Sequence, residues 1–126
     1  MIVLYRIEHN ETELGVFKHN VNYIKPQWND DRLKALELRT KELPTPYTDK
    51  ILKKLKFNKD YYCGFKSLRQ YKYWFKNNES KILINEYNFS LYEITVKTAL
   101  IGDKQIAFKK DDIISKVKIN INDYNK

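Results

Sequence analysis

A chain of 126 residues with a formal net charge of +8, three glycines and three prolines has length for one domain with a sizeable core, and too few flexible residues for a linker. Its single cysteine, Cys63, excludes an internal disulfide framework and fits a reducing cytoplasm. No window approaches the roughly 20 apolar residues of a membrane span, and Met1–Arg6 lacks the basic and apolar regions of a signal peptide.

In chain order, Ile2–Glu8 alternates as a strand, with Val3, Tyr5 and Ile7 on one face and Leu4 and Arg6 on the other. An arginine in the middle of an opening strand has to be paired or to face a cleft. His9 and Asn10 end the strand, and Glu11 to Gln27 reads as a loop containing Gly15 and His19. Asn29-Asp30-Asp31 resembles an N-cap with acidic residues in the first turn, followed by Leu33 and Leu36 on one helical face. Leu43-Pro44-Thr45-Pro46 stops that helix. Thr48 caps the next, Asp49 to about Lys56, with Ile51, Leu52 and Leu55 inward.

Tyr61 to Phe65 is a short aromatic strand turning at Gly64. Ser67 is an N-cap whose hydroxyl can accept from the Gln70 amide, while Gln70 reaches back to the Ser67 backbone. Leu68, Tyr71 and Phe75 then share one helical face, and Asn77-Asn78 ends the helix. The free N–H groups at its start could receive a phosphate. Glu79 to Tyr87 forms a further helical turn or two. Phe89 to Val96 alternates as a strand, Ile101-Gly102-Asp103 turns, and Gln105 to Phe108 begins another strand. Lys110-Asp111-Asp112 is a second turn, Val117 to Ile121 a closing strand, and the tail from Asn122 is polar and frayed. An opening strand, central helices and a closing run of strands together describe a single α+β domain with a largely antiparallel sheet.

The charge is uneven. Asp49 to Lys81 holds ten Lys or Arg against three Asp or Glu, and Lys50, Lys53, Lys54, Lys56 and Lys59 form a basic face suited to an anionic partner. Walker A, GxGxxG and GxSxG loops are absent, as are helix-turn-helix, zinc-finger and RNA-recognition signatures. Two histidines and one cysteine without ligand spacing argue against a zinc site. Cys63 lies in an apolar strand and reads as packing rather than as a nucleophile. The Asn, Ile, Lys and Tyr bias is that of AT-rich coding sequence, from a low-GC bacterium or one of its phages.

The ordered pattern resembles the ADP-ribosyltransferase fold, including its small bacterial, phage and toxin–antitoxin members. Leu4-Tyr5-Arg6-Ile7 matches the opening strand, Tyr62-Cys63-Gly64-Phe65-Lys66-Ser67 the strand leading into a helix, and Gln105-Ile106-Ala107-Phe108 the strand that usually opens with a catalytic Glu. The resemblance implies a mixed, largely antiparallel sheet with helices inserted between the first strand and the C-terminal strands. It further implies that Arg6, Ser67 and Gln105 meet at one cleft as a degenerate catalytic triad, and that Arg6, His9 and Ser67 surround NAD, the cofactor this family takes. Gln105 lacks the negative charge that stabilises the oxocarbenium-like sugar as nicotinamide leaves, a loss worth on the order of 10²–10³ in rate. Glu93 is the nearest acidic substitute.

The expectation is therefore a small phage- or mobile-element-type cytoplasmic protein that binds and inhibits a host or defence protein without catalysis, with no metal and no membrane partner. Two alternatives stand beside it. One is an active NAD-dependent transferase modifying a protein or nucleic acid. The other is a basic nucleic-acid-binding module in which Tyr71, Tyr73 or Trp74 stacks on bases.

Overall fold

In the computed structural model, residues 1–13, 30–35, 61–102 and 105–120 are described. Strand β1 (Ile2–His9) pairs antiparallel with β3 (Phe89–Val96), which pairs antiparallel with β6 (Ile113–Ile119). A second antiparallel sheet is ordered β2 (Tyr61–Gly64), β5 (Ile106–Lys109), β4 (Leu100–Ile101). Among the described residues the two sheets meet at one bridge, where the Tyr5 amide donates to the Phe65 carbonyl at 2.9 Å and Phe65 returns the bond at 2.7 Å. One mixed sheet was expected from the sequence; among the described strands there are two, and every pairing is antiparallel.

Strand alternation explains the layering. Leu4, Ile94 and Val96 lie on the face of the first sheet that packs against Ile106 and Phe108 of the second. The opposite face carries Ile7, Phe89 and Leu91 into a core beneath helix α1 (Leu68–Trp74) and helix α2 (Asn77–Glu86). Gly64 lies where β2 crosses β1. A Cβ there would stand 2.9 Å from the Tyr5 carbonyl oxygen and closer still to the Leu4 side chain. Only a glycine lets the two sheets approach at that point.

The helix start is as the sequence implies: the Gln70 amide donates to Ser67 Oγ at 3.1 Å. The reciprocal contact is one residue earlier than expected, because Gln70 Oε1 accepts from the Lys66 amide rather than that of Ser67. The helix also ends sooner, with Phe75 extended as its C-cap. Asn77 begins α2 instead of terminating α1, since the buried Glu79 carboxylate accepts from the Lys76 amide at 2.9 Å and so satisfies a donor at the new helix start. Asn88, in the left-handed region at φ 61°, turns the chain from α2 into β3.

Asp30 caps a short 3-10 turn, Asp31–Leu33, that seats the fully buried Leu33 in the helix-side core. Lys110–Asp112 is likewise a 3-10 turn. Strand β6 begins at Ile113, four residues before the expected start. Val96 pairs with Ile113 and Thr95 with Ser115, so Ile114 is the extra residue of a bulge that hides the alternation. The predicted loop features Gly15 and His19, the residue Leu36, the helix from Asp49 with its lysines, Asp103 and the tail from Asn122 lie outside the described residues.

Candidate functional site

Arg6 lies on the inter-sheet face of β1 with its side chain buried. It does not pair with a cross-strand neighbour alone. Its Nε donates to Glu8 Oε2 at 2.8 Å, one Nη to the Cys63 carbonyl at 2.7 Å and the other to the Glu13 carbonyl at 3.1 Å. The guanidinium also lies over the Tyr62 ring, 5.2 Å from its centroid. Positions 6 and 8 share a face by strand alternation, which is why Glu8 follows Arg6 into the interior.

The buried Glu8 has a second partner, since Lys116 Nζ of β6 binds its other carboxylate oxygen. Lys116 also approaches Glu13 Oε2 at 3.6 Å, and Lys110 reaches Glu13 Oε1 at 3.1 Å. These five charges, with Tyr62 between them, line a small cleft at the edge of the inter-sheet layer. The Lys110 hydrogen bond holds the Glu13 carboxyl below its ordinary range, and Glu13 in turn holds the Lys110 ammonium above its own. Glu13 has φ 60°, a left-handed backbone stabilised by its amide donating to the His9 carbonyl at 2.9 Å.

The other expected site residues have different surroundings. His9 Nδ1 accepts from the Glu11 and Thr12 amides at 3.2 and 3.3 Å, organising the turn that presents Glu13, and its ring meets Phe89 edge-on. Ser67 is the exposed N-cap of α1. Gln105 is buried just before β5, and its carbonyl accepts from the Gly102 amide at 2.9 Å. The β2–β5 ladder pairs Gly64 with Ile106, so continuing it by one residue sets Gln105 opposite Phe65. His9, Ser67 and Gln105 are not among the residues that line the Arg6 cleft. Glu93 accepts from the Tyr5 hydroxyl at 3.3 Å on the helix-side face. Of the aromatics considered for base stacking, Tyr71 and Trp74 are core residues and Tyr73 is 64% exposed.

Sequence reasoning missed Glu8, Glu13, Lys110 and Lys116 as members of the Arg6 cluster. The signal for Glu8 was its spacing of two from Arg6. Lys116 is 108 positions from Glu8, and nothing local announces that contact.

Among the described residues no group of three or more His, Cys, Asp or Glu side chains is placed to hold a metal ion. None of the described helices is long and apolar enough to cross a membrane.

Two antiparallel sheets, helices against one of them and a charge-filled cleft at their junction define the architecture. The chain belongs to the bacteriophage T4 Y00F protein family, whose model matches residues 1–122, and is thus a small phage-family protein. No curated protein and no solved structure matches it.

Proposed function

We propose that this phage-family protein is a non-catalytic binder that attaches to and inhibits a host or defence protein, on a scaffold whose order of elements is ADP-ribosyltransferase-like. The observation that carries the reading is the engagement of Arg6 within the chain. Nε and both Nη atoms each donate to an acceptor within the chain and Glu8 matches the charge, so Arg6 is committed to joining its own strands and meets a dinucleotide phosphate with its charge already paired. Gln105 and Ser67 line no part of the Arg6 cleft, and an amide stands where the resembled family has a carboxylate. The residues present therefore do not fit NAD at this position.

What remains is a small, strongly basic protein whose charged cleft is spent on holding its own strands together. The nucleic-acid reading has lost two of its three candidate stacking residues to the core. Titration calorimetry with NAD is expected to show no binding, and labelled NAD added to host lysate no protein-dependent modification. Affinity capture is expected to retain one host protein whose activity falls when the purified chain is added. Saturable NAD binding, or label transfer to a target, would overturn the reading.

A further inference from the structure

We propose that the outer edge of β6 is a strand-addition site for an extended segment of the partner protein, one that alternates acidic and apolar residues. The proposal rests on the reading of the chain as a protein binder and names the surface it uses.

Among the described strands, β6 closes one side of its sheet and its ladder runs to β3 alone. Among the described residues, its other edge therefore presents a row of unpaired amides and carbonyls. Such an edge is a template for another strand, with main-chain bonds supplying affinity and alternate side chains supplying choice.

Side chains along the edge specify the occupant. Val117, paired with Glu93 on the helix-side face, is 54% exposed, and Ile114 at the bulge is 48% exposed. On the inter-sheet face Lys116 is paired across to Ile94 and Lys118 to Tyr92. Lys116 is partly used by Glu8, whereas Lys118 is exposed and has no ion-pair partner among the described residues. The strand from Ile113 to Ile119 contains two lysines and no acidic residue. An added strand would therefore meet a cation on one face and an apolar side chain on the other, at a spacing of two.

The same lysines disfavour a second copy. Antiparallel self-pairing over the whole strand sets Lys116 against itself, and like charges directly opposite are destabilising. Lysine on an edge is a common guard against self-association; here it leaves an acidic strand as the complementary occupant.

The test uses the full chain and two synthetic peptides of eight residues, one alternating Val and Glu and the other Val and Lys. Hydrogen exchange is followed at β6, with affinity measured for the natural chain and for Lys118→Glu. The Val-Glu peptide is expected to slow exchange in β6 but not β4, and the Val-Lys peptide to have no effect. Lys118→Glu should weaken Val-Glu binding by at least about fivefold, because one cross-strand attraction becomes a repulsion, and should strengthen Val-Lys binding at an unchanged melting temperature. A captured host protein should protect the same amides.

If a host protein binds tightly but leaves β6 exchange unchanged and ignores Lys118→Glu, the edge proposal is wrong while the binder reading stands. If no host protein binds and the Val-Glu peptide still protects β6, the binder reading fails on its own. Concentration-dependent protection of β6 without any peptide would mean that a second copy occupies the edge, and would overturn the proposal.

Discussion

Arg6 and Glu8 are a buried ion pair with a third member, Lys116, closing it from β6. Burying charges is costly, and the arrangement holds because every charge has a partner of opposite sign with hydrogen bonds to satisfy it. Replacing Arg6 with Met leaves Glu8 buried beside Lys116 alone and removes the Arg6 donors from the Cys63 and Glu13 carbonyls. The expected cost is about 3 kcal/mol, near the low end for breaking a buried pair because Lys116 remains. Adding Glu8→Leu removes the stranded carboxylate, so the double variant should be more stable than Arg6→Met alone; urea unfolding of both measures this, and equal or lower stability in the double variant contradicts the account. Tyr71 makes a similar argument for a neutral pair. Its hydroxyl and Ser80 Oγ are hydrogen-bonded within the core, where burial raises the phenol above its ordinary range. Tyr71→Phe keeps the ring stacked on Phe75 but leaves Ser80 without that partner, at a cost of about 1–3 kcal/mol.

At the scale of elements, the parts legible in sequence were those set by local rules. Phe89–Val96 and the opening strand followed from alternation, and Ser67 followed from cap chemistry; Ser67→Ala should cost about 1 kcal/mol in chemical denaturation. The break between α1 and α2 was misplaced because Lys76 is not a residue that advertises an N-cap, and the partner that makes it one is Glu79, three residues on. A further device was invisible for the opposite reason, because its two halves lie 54 or more positions apart. Arg32 donates to both oxygens of Glu86 at 2.8 and 2.9 Å and to Asp30 at 2.6 Å, while the Tyr87 hydroxyl donates to Asp30 at 2.9 Å. This cluster fastens the 3-10 turn bearing Leu33 to the end of α2. Hydrogen bonds from Arg32 hold both carboxyls below their ordinary range. Groups depressed in the folded state contribute fully above their unfolded values, about 4, and lose that contribution as pH falls through the folded ones. Thermal melts of the natural chain should therefore drop below about pH 4, and drop less steeply in Arg32→Gln; high salt should shrink the difference, because the cluster is largely exposed.

For the molecule as a whole, sequence order alone could not say which strands become neighbours. Leu4-Tyr5-Arg6 was recognisable as an opening strand, but its role as the joint between two sheets depends on Gly64, 60 positions beyond Leu4, and on the Tyr5–Phe65 bridge. The same topology orders the stability of the parts. Strand β3 is paired along its whole length to β1 and from Leu91 to Val96 to β6, and is buried on both faces, by Phe89 and Leu91 toward the helices and Ile94 and Val96 toward the second sheet. Strand β6 has one paired edge and mostly exposed side chains, and β4 is two residues long. Amides that open only with global unfolding are those bonded in the best-packed elements. Native-state hydrogen exchange is therefore expected to be slowest in β3 and in the β1 amides paired to it, intermediate in β2 and β5, and fast in β4 and the outward amides of β6. Gly64→Ala provides a check on the joint, because a Cβ that forces β2 from β1 should accelerate exchange in β2 and β5 far more than in β3. Equal acceleration in all the strands would mean that the two sheets unfold as one cooperative unit, and that the bridge at Tyr5 couples them more strongly than its two hydrogen bonds suggest.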